Sequence, residues 1–183
     1  MKGGHATRWI ALSLAVVLVA FGVVLAVQHR TEPSVPRLVQ EHKTVPGFSL
    51  ETLDGKPVSA SSLQGKTYVV NFWNSWCIPC QQERPALQAF YAKHRREPDF
   101  AMLGIVRDDD PSQIRSYVTD EHVSWPVAFD PNGSAGLGFG TTGQPETYVI
   151  SPSGRAACGS LGPVSVAELE AWLQAARAGG VCR

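Results

Sequence analysis

The stretch TYVVNFWNSWCIPC, residues 67–80, decides the fold of this 183-residue chain. Its first half, residues 67–73, is a dense run of β-branched and aromatic residues, which predicts a strand buried on both faces. Cys77 and Cys80 follow three residues apart, with Pro79 between them. Because proline is tolerated in the first turn of a helix, the second half predicts a strand-to-helix transition with two thiols at its start.

The chain after Cys80 continues in a helical pattern. Leu87, Phe90, Tyr91 and His94 recur at helical spacing and form one stripe, on which His94 is expected as a packing residue. Residues 100–106 (FAMLGIV) then predict a second buried strand. A helical crossover makes the two strands parallel neighbours. The cysteine pair thereby falls at the carboxyl end of a central strand, where open α/β sheets place their sites.

Strands and helices alternate through the remainder of the domain. Residues 48–53, followed by an Asp-Gly turn, predict a strand entering a hairpin, and residues 148–150 and 155–159 predict two more strands. Helices are predicted after an N-cap at Asp110 and after a capping box formed by Ser165 and Glu168. This order predicts an α/β fold with a central mixed β-sheet flanked by helices.

An uncharged, mostly aliphatic stretch at residues 9–27 precedes the domain. As a helix it would reach about 28 Å, close to the thickness of a bilayer core. The positive-inside rule then predicts a cytoplasmic N-terminus at residues 1–8, a transmembrane signal-anchor at 9–27, an extracytoplasmic linker at 28–43 and an extracytoplasmic domain at 44–183. A cleaved signal peptide is the alternative, and it would export the domain as well.

Composition narrows the classes of function. Sixteen basic residues balance sixteen acidic ones, so charge does not indicate a nucleic-acid partner.

Cys77 faces the positive end of a helix dipole, which favours the nucleophilic thiolate, and Cys80, one turn further, is suited to resolving a mixed disulfide. Half of a zinc site is the alternative, but the sequence lacks a second pair of ligands at zinc spacing. No metal and no cofactor beyond the redox-active disulfide are therefore expected.

Several segments around the pair together resemble a known family. They are NFWNSWCIPC at 71–80 with Pro85 after it, GQPET at 143–147, and VPGFSLETLDGKPVSASSLQGK, FDPNG and VISPSGR at 45–66, 129–133 and 149–155. The combination resembles the thioredoxin superfamily, and more narrowly its membrane-anchored TlpA/ResA/DsbE-type thiol–disulfide oxidoreductases of cytochrome c maturation. The resemblance covers nearly all of residues 44–173. It implies a thioredoxin-like fold with an added N-terminal β-hairpin.

The resemblance also implies where a substrate binds. Pro145 matches the cis-proline opposite the two cysteines, which would expose the backbone of Gln144 for pairing with an extended substrate. Trp76 would cover one side of the disulfide, and Ile78 and Pro79 would complete the surface beside it. An ordinary trans-proline entering a strand is the alternative for Pro145.

Two acidic residues have alternative interpretations. Asn71 stands where thioredoxin itself carries a buried aspartate, and Glu83 resembles the acidic residue of ResA-like members. Glu83 could take the proton of Cys80, or it could be a solvated glutamate stabilised by the helix N-terminus. Glu146 could be a second acid at the substrate site or a polar residue at a strand entrance.

Two other features lie outside the family pattern or beside it. Cys158 and Cys182 could form a structural disulfide that ties down the C-terminal tail, remain as two thiols, or relay electrons to the active pair. The run Asp108-Asp109-Asp110 lacks the spacing of a calcium loop, so a loop that ends in an N-cap is expected instead of a cation site.

The leading functional hypothesis is a reductase of exported protein disulfides, including the haem-attachment cysteines of apocytochrome c. Such a dithiol must be recharged, which implies a transmembrane thiol-relay partner, and the soluble domain is expected to be monomeric. A disulfide oxidase or general exchange catalyst, and a non-catalytic thioredoxin-fold chaperone, are the alternatives. A peroxidase of the peroxiredoxin kind would need a PxxxTxxC motif, which the chain lacks.

Overall fold

The computed structural model describes residues 4–28 and 44–182, with side chains at residues 8, 9, 11–23 and 44–182. The chain divides into two compact units, residues 1–35 and residues 36–183. The predicted cytoplasmic N-terminus at 1–8 lies only partly within the described backbone, and the predicted linker lies outside it from residue 29 to residue 43.

The first unit contains one helix, α1 (Gly4–Gln28), which includes the predicted signal-anchor. Within the part of the chain that the structure describes, no helix meets the length and apolarity needed to cross a membrane. The predicted single-pass anchor at residues 9–27 is therefore not supported.

The second unit is built on one seven-stranded sheet with the strand order β2-β1-β5-β4-β3-β6-β7. A short 3-10 helix, Ser61–Leu63, follows β2. The strands are β1 (Ser49–Thr52), β2 (Pro57–Ser59), β3 (Thr67–Phe72), β4 (Phe100–Val106), β5 (Val127–Phe129), β6 (Glu146–Ile150) and β7 (Ala156–Leu161). The helices are α2 (Ile78–His94), α3 (Pro111–Asp120), α4 (Ser134–Phe139) and α5 (Val166–Arg177).

Strand β3 is central, as its apolar composition predicts. All six of its residues are buried, and it pairs in parallel with β4 and antiparallel with β6. One face packs against α2, α3 and α5 through Phe90, Ile114 and Leu173, and the other face packs against α4 through Phe139. The mixed sheet between two layers of helices confirms the predicted α/β architecture.

Two elements in the middle of the domain are absent from the sequence prediction. Strand β5 joins the sheet between β4 and the N-terminal hairpin, pairing in parallel with β4 and antiparallel with β1. Helix α4 follows, bounded by left-handed glycines at Gly133 and Gly140. Both are too short for a hydrophobic period to emerge, since β5 has 3 residues and α4 has 6.

Helix starts follow the predicted capping chemistry. The Asp110 carboxylate accepts backbone N–H groups from Ser112 and Gln113 at the start of α3. Ser165 and Glu168 form a reciprocal capping box at the start of α5. The caps fix where both helices leave the sheet edge that carries the cysteine pair.

His94 packs at the end of α2, as predicted, and also makes polar contacts that the sequence does not indicate. Its ring lies 4.7 Å from that of Phe90 and 5.6 Å from that of Phe100, centroid to centroid. Its two nitrogens each lie 2.9 Å from a carboxylate oxygen, one of Glu97 and one of Glu170. Since Glu170 belongs to α5, the histidine fastens the end of α2 to that helix.

Cys158 and Cys182 are joined by a disulfide, with Cα atoms 5.2 Å apart. Cys158 lies within β7, which continues to Leu161 although the sequence predicts its end at residue 159. It is buried opposite Val149 of β6, which in turn lies opposite Val69 near the start of β3. Cys77 follows the other end of β3, so the geometry does not favour an electron relay between the two disulfides.

This second disulfide should contribute to stability and not to exchange. It closes a loop with a sequence separation of 24 residues, for which the loss of chain entropy in the unfolded state amounts to about 3 kcal/mol. We expect Cys182→Ser to lower the free energy of unfolding by about that amount in urea titrations. The folded variant should retain the exchange rate of the wild type, and a lost rate in folded protein would contradict the structural role.

Candidate active site

The two cysteines stand where β3 passes into α2. Cys77 is the N-cap of α2, and its sulfur accepts the backbone N–H of Cys80 at 3.3 Å. The pair forms a disulfide with Cα atoms 5.2 Å apart, and both residues are buried. Their surroundings differ, because Cys77 borders a surface groove whereas Cys80 borders a small internal cavity. The arrangement suits Cys77 to attack a substrate from outside and Cys80 to attack Cys77 from within.

The loop that carries Cys77 is held by the loop that follows β4. The Asp109 carboxylate accepts the backbone N–H of Ser75 at 2.7 Å, and the indole N–H of Trp76 donates to the Asp108 carbonyl at 3.3 Å. Asp108 itself adopts a left-handed backbone conformation, with φ at 55°. The acidic run therefore contains a loop anchor at Asp109 and an N-cap at Asp110. Sequence reasoning found the second and missed the first.

A groove of about 500 Å³ opens beside Cys77. The peptide bond between Gln144 and Pro145 is cis, the isomer that the family resemblance implies, and Gln144 forms one wall of the groove. Trp76 and Ile78 also line the groove, with 59% and 66% of their surface exposed. The remaining lining residues are Cys77, Pro79, Arg107, Asp108 and Gly143. An exposed apolar rim next to a reactive sulfur can hold an extended peptide that carries a disulfide.

The Glu146 carboxylate is hydrogen-bonded to residues that lie close to it in the sequence. Its carboxylate accepts the backbone N–H of Thr142 at 2.9 Å and the hydroxyl of Tyr148 at 3.0 Å, and the side chain is buried. These contacts close the loop that leads to the cis peptide bond. They favour a structural role for Glu146 over that of a second acid at the substrate site.

Glu83 is buried on the inner side of α2, one helical turn after Cys80. Only 2% of its surface is exposed. One carboxylate oxygen accepts the side-chain N–H of Asn71 at 2.8 Å, and the other accepts the backbone N–H of Val164 at 3.2 Å. The interpretation of Glu83 as a solvated glutamate is therefore wrong, because α5 and its preceding loop cover the side chain.

Burial controls the ionisation of Glu83. Loss of solvent raises its pKa from 4.5 to about 8, while the hydrogen bonds from Asn71 and Val164 oppose the rise. A carboxyl with a pKa near 8 exchanges its proton at the pH where thiols ionise. Glu83 thus lies one helical turn from Cys80 with a pKa in the range of a thiol, which makes it the candidate proton acceptor for Cys80.

Asn71 links this acid to the sheet. Its side-chain amide donates to Glu83 and also to the hydroxyl of Thr147 on β6, at 2.9 Å. An asparagine at this position supplies hydrogen bonds without a charge, so the acidic function of the buried site rests on Glu83. Among the residues with described side chains, no group of three or more His, Cys, Asp or Glu could hold a metal ion.

Comparisons with known proteins agree with this geometry. The AhpC/TSA family matches residues 42–157 of the chain. The thiol–disulfide oxidoreductase ResA of a Bacillus cereus strain is 28% identical over 137 residues, which cover 74% of this chain and 78% of the relative.

Two solved structures extend the likeness to three dimensions. The first is a thiol:disulfide interchange protein of the thioredoxin family from Chlorobium tepidum TLS, 31% identical with a TM-score of 0.67, covering 74% of this chain and 96% of that one. The second is Mycobacterium tuberculosis DsbF, 32% identical with a TM-score of 0.66, covering 73% and 99% respectively. The chain therefore belongs to the AhpC/TSA family and, within it, to the thioredoxin-like ResA/DsbE branch of thiol–disulfide oxidoreductases.

Proposed function

We propose that this oxidoreductase reduces disulfides in exported proteins, with the haem-attachment cysteines of apocytochrome c as its substrate class. The observation that carries the proposal is the buried Glu83, one turn from Cys80 and held by Asn71 and Val164. A reductant must ionise its second thiol inside the protein. An internal carboxyl with a pKa near 8 is matched to a thiol, so its carboxylate form, the minor species at neutral pH, can accept that proton.

The catalytic cycle follows from the positions of the two sulfurs. The Cys77 thiolate attacks one sulfur of the substrate disulfide, which forms a mixed disulfide and releases the first substrate thiolate. Cys80 gives its proton to Glu83, and its thiolate attacks the Cys77 sulfur. The Cys77–Cys80 disulfide forms, and the electron pair of the broken bond leaves with the second substrate thiolate. Two electrons have passed to the substrate, and two protons complete its thiols.

The groove supplies the recognition of substrate in this proposal. The backbone beside the cis peptide bond at Gln144 pairs with an extended segment of the substrate, and Trp76 and Ile78 contact its side chains. Both side chains are apolar and exposed, so a substrate with an apolar residue next to its cysteine gains most from them. Pro79 completes the rim. No cofactor beyond the redox-active disulfide enters the cycle.

We place this chemistry outside the cytoplasm. The disulfide between Cys158 and Cys182 is of a kind that persists in oxidising compartments. One similar solved structure, 27% identical, is described as a secreted disulfide oxidoreductase of Mycobacterium tuberculosis. A reductant in such a compartment has to be recharged with two electrons per cycle, and a transmembrane thiol-relay protein is the partner that could deliver them.

The reduction potential tests the direction of electron flow. We expect the Cys77–Cys80 couple, titrated against glutathione in a protein with Cys158 and Cys182 replaced by alanine, to lie near about −270 mV, as in thioredoxin. A value near about −120 mV, as in DsbA, would overturn the proposal and identify a disulfide oxidase. The paired alanine substitutions leave one redox couple in the protein, so the titration reports on the active pair alone.

A further inference from the structure

A small cavity of about 10 Å³ lies behind Cys80, between α2, α3 and the sheet. Among its lining residues, Trp73 and Trp125 have buried indole N–H groups and Arg84 has a buried Nε–H, and all three lack a hydrogen-bond partner. Buried N–H groups nearly always find an acceptor, and leaving one unpaired costs about 1–3 kcal/mol. Of the residues that line the cavity, only Arg84 carries a charge, so Cys80 shares this cavity with a cation.

Arg84 brings a full positive charge to this cavity. It lies four residues after Cys80 on α2, so both side chains occupy the same face of the helix. Its guanidinium donates to the Tyr117 hydroxyl at 2.8 Å and lies 5.5 Å from the centre of that ring. Since 21% of the side chain is exposed, water screens the charge only in part.

Glu121 opposes that charge from α3. One of its carboxylate oxygens lies 2.7 Å from the Arg84 guanidinium, and 41% of the Glu121 side chain is exposed. The contacts with Glu121 and Tyr117 both use one terminal nitrogen of the guanidinium, while the buried Nε–H has no partner and Arg84 lines the same cavity as Cys80. The field at Cys80 depends on the balance between a half-buried cation and a more exposed anion.

We propose that Arg84 is a positioning residue that stabilises the thiolate of Cys80 in the reduced protein, and that Glu121 limits how strongly it does so. The inference rests on the proposed role of Cys80 as the resolving thiol. In the oxidised state the sulfur shares its electrons with Cys77 and is a weak acceptor. After reduction, Cys80 becomes an anion when it loses its proton to Glu83, and Arg84 at the same cavity then supplies a charge of the opposite sign.

The test measures the ionisation of Cys80 in a Cys77→Ser protein, in which the second disulfide stays formed. Thiolate absorbance is followed against pH for three additional substitutions. We expect Arg84→Gln to move the Cys80 titration upward by about one pH unit, and Glu121→Gln to move it downward. Tyr117→Phe removes a hydrogen bond but no charge, and should leave the titration in place.

The other titratable groups near Cys80, Glu83 and Tyr117, do not affect the comparison between the variants. Glu83 is present in every variant, so the difference between variants reports on the Arg84–Glu121 pair. Burial raises the pKa of Tyr117 above its ordinary value, which keeps the phenol neutral through the titration. In the protein with both active cysteines, Arg84→Gln should make the couple more reducing and Glu121→Gln less reducing, by up to about tenfold in the equilibrium constant with glutathione or about 30 mV.

A role for Arg84 as a simple clamp between α2 and α3 gives a different result. It predicts that Arg84→Gln lowers the urea midpoint while the Cys80 titration stays unchanged, and this outcome would overturn the inference. If Arg84→Gln does not fold, Glu121→Gln decides alone, because only a charge effect moves the titration downward. An unchanged titration together with a potential near that of thioredoxin would reject the role of Arg84 and leave the proposed reductase standing.

Discussion

In a Cys80→Ala variant, we expect the protein to accumulate as a stable mixed disulfide with its substrates through Cys77. The attack of Cys80 on the Cys77 sulfur is the step that releases substrate, and no other thiol in the described part of the chain can replace it. Cys158 and Cys182 are bonded to each other. Non-reducing gels and mass spectrometry of the trapped species then identify the substrates directly.

The matched variant is Cys77→Ala, which leaves Cys80 as the only active-site thiol. Its sulfur borders an internal cavity and not the groove, so it cannot approach a protein disulfide. We expect exchange to fall by about 10³-fold or more and no mixed disulfide to form. A non-catalytic chaperone would retain its function in cells with this substitution, so a complementing Cys77→Ala gene would exclude the enzymatic role.

The trap also tests the substrate class. An apocytochrome c peptide with its two haem-attachment cysteines oxidised should be captured by Cys80→Ala in stoichiometric amounts. A Trp76→Ala substitution in the same background should slow the capture, because 59% of the indole is exposed at the rim of the groove. If oxidised apocytochrome c is captured no faster than an unrelated disulfide, the groove has no preference for this substrate class.

Local patterns account for most of what the sequence predicts correctly. The apolar run of β3, the spacing of Cys77 and Cys80 and the cap at Asp110 all depend on residues within a few positions of one another. Such signals survive in any tertiary context, because helix caps and strand burial need few partners. The central strand and the cysteine pair at its end could therefore be located without a structure.

The environment of Glu83 could not be located in that way. Its helical spacing from Cys80 indicates a candidate acid, but its hydrogen-bond donor Val164 is 81 residues away in the sequence. Asp109 contacts Ser75 across 34 residues for the same reason, as it becomes visible only when β4 lies beside β3. Burial by distant elements separates a functional carboxyl from a solvated one, and a single sequence does not encode that distinction locally.

The cost of burying Glu83 should appear as a dependence of stability on pH. In the unfolded chain its pKa is near the ordinary 4.5, and in the folded protein burial raises the pKa to about 8. Between these values the unfolded state releases the proton and the folded state keeps it. The free energy of unfolding therefore falls as the pH rises from 4.5 to about 8, by an amount on the order of 4 kcal/mol from this group.

Glu83→Gln removes this contribution, since glutamine does not titrate. The amide can accept only one of the two N–H groups, of Asn71 or of Val164, and the unpaired donor costs about 1–3 kcal/mol at every pH. We expect the variant to be less stable than the wild type at pH 5 and equally or more stable at pH 9. Urea titrations at pH 5, 7 and 9 measure the crossing of the two curves.

Glu51→Gln is the matched control, because Glu51 is an exposed glutamate on β1, and it should leave the pH dependence of the wild type unchanged. Parallel curves for Glu83→Gln and the wild type would contradict a raised pKa and, with it, the role of Glu83 as proton acceptor. The pH dependence of stability and the suitability of Glu83 as a proton acceptor have one cause. Removing the carboxyl from water costs the folded protein stability above pH 4.5, and the same desolvation places its proton exchange at the pH where Cys80 must ionise.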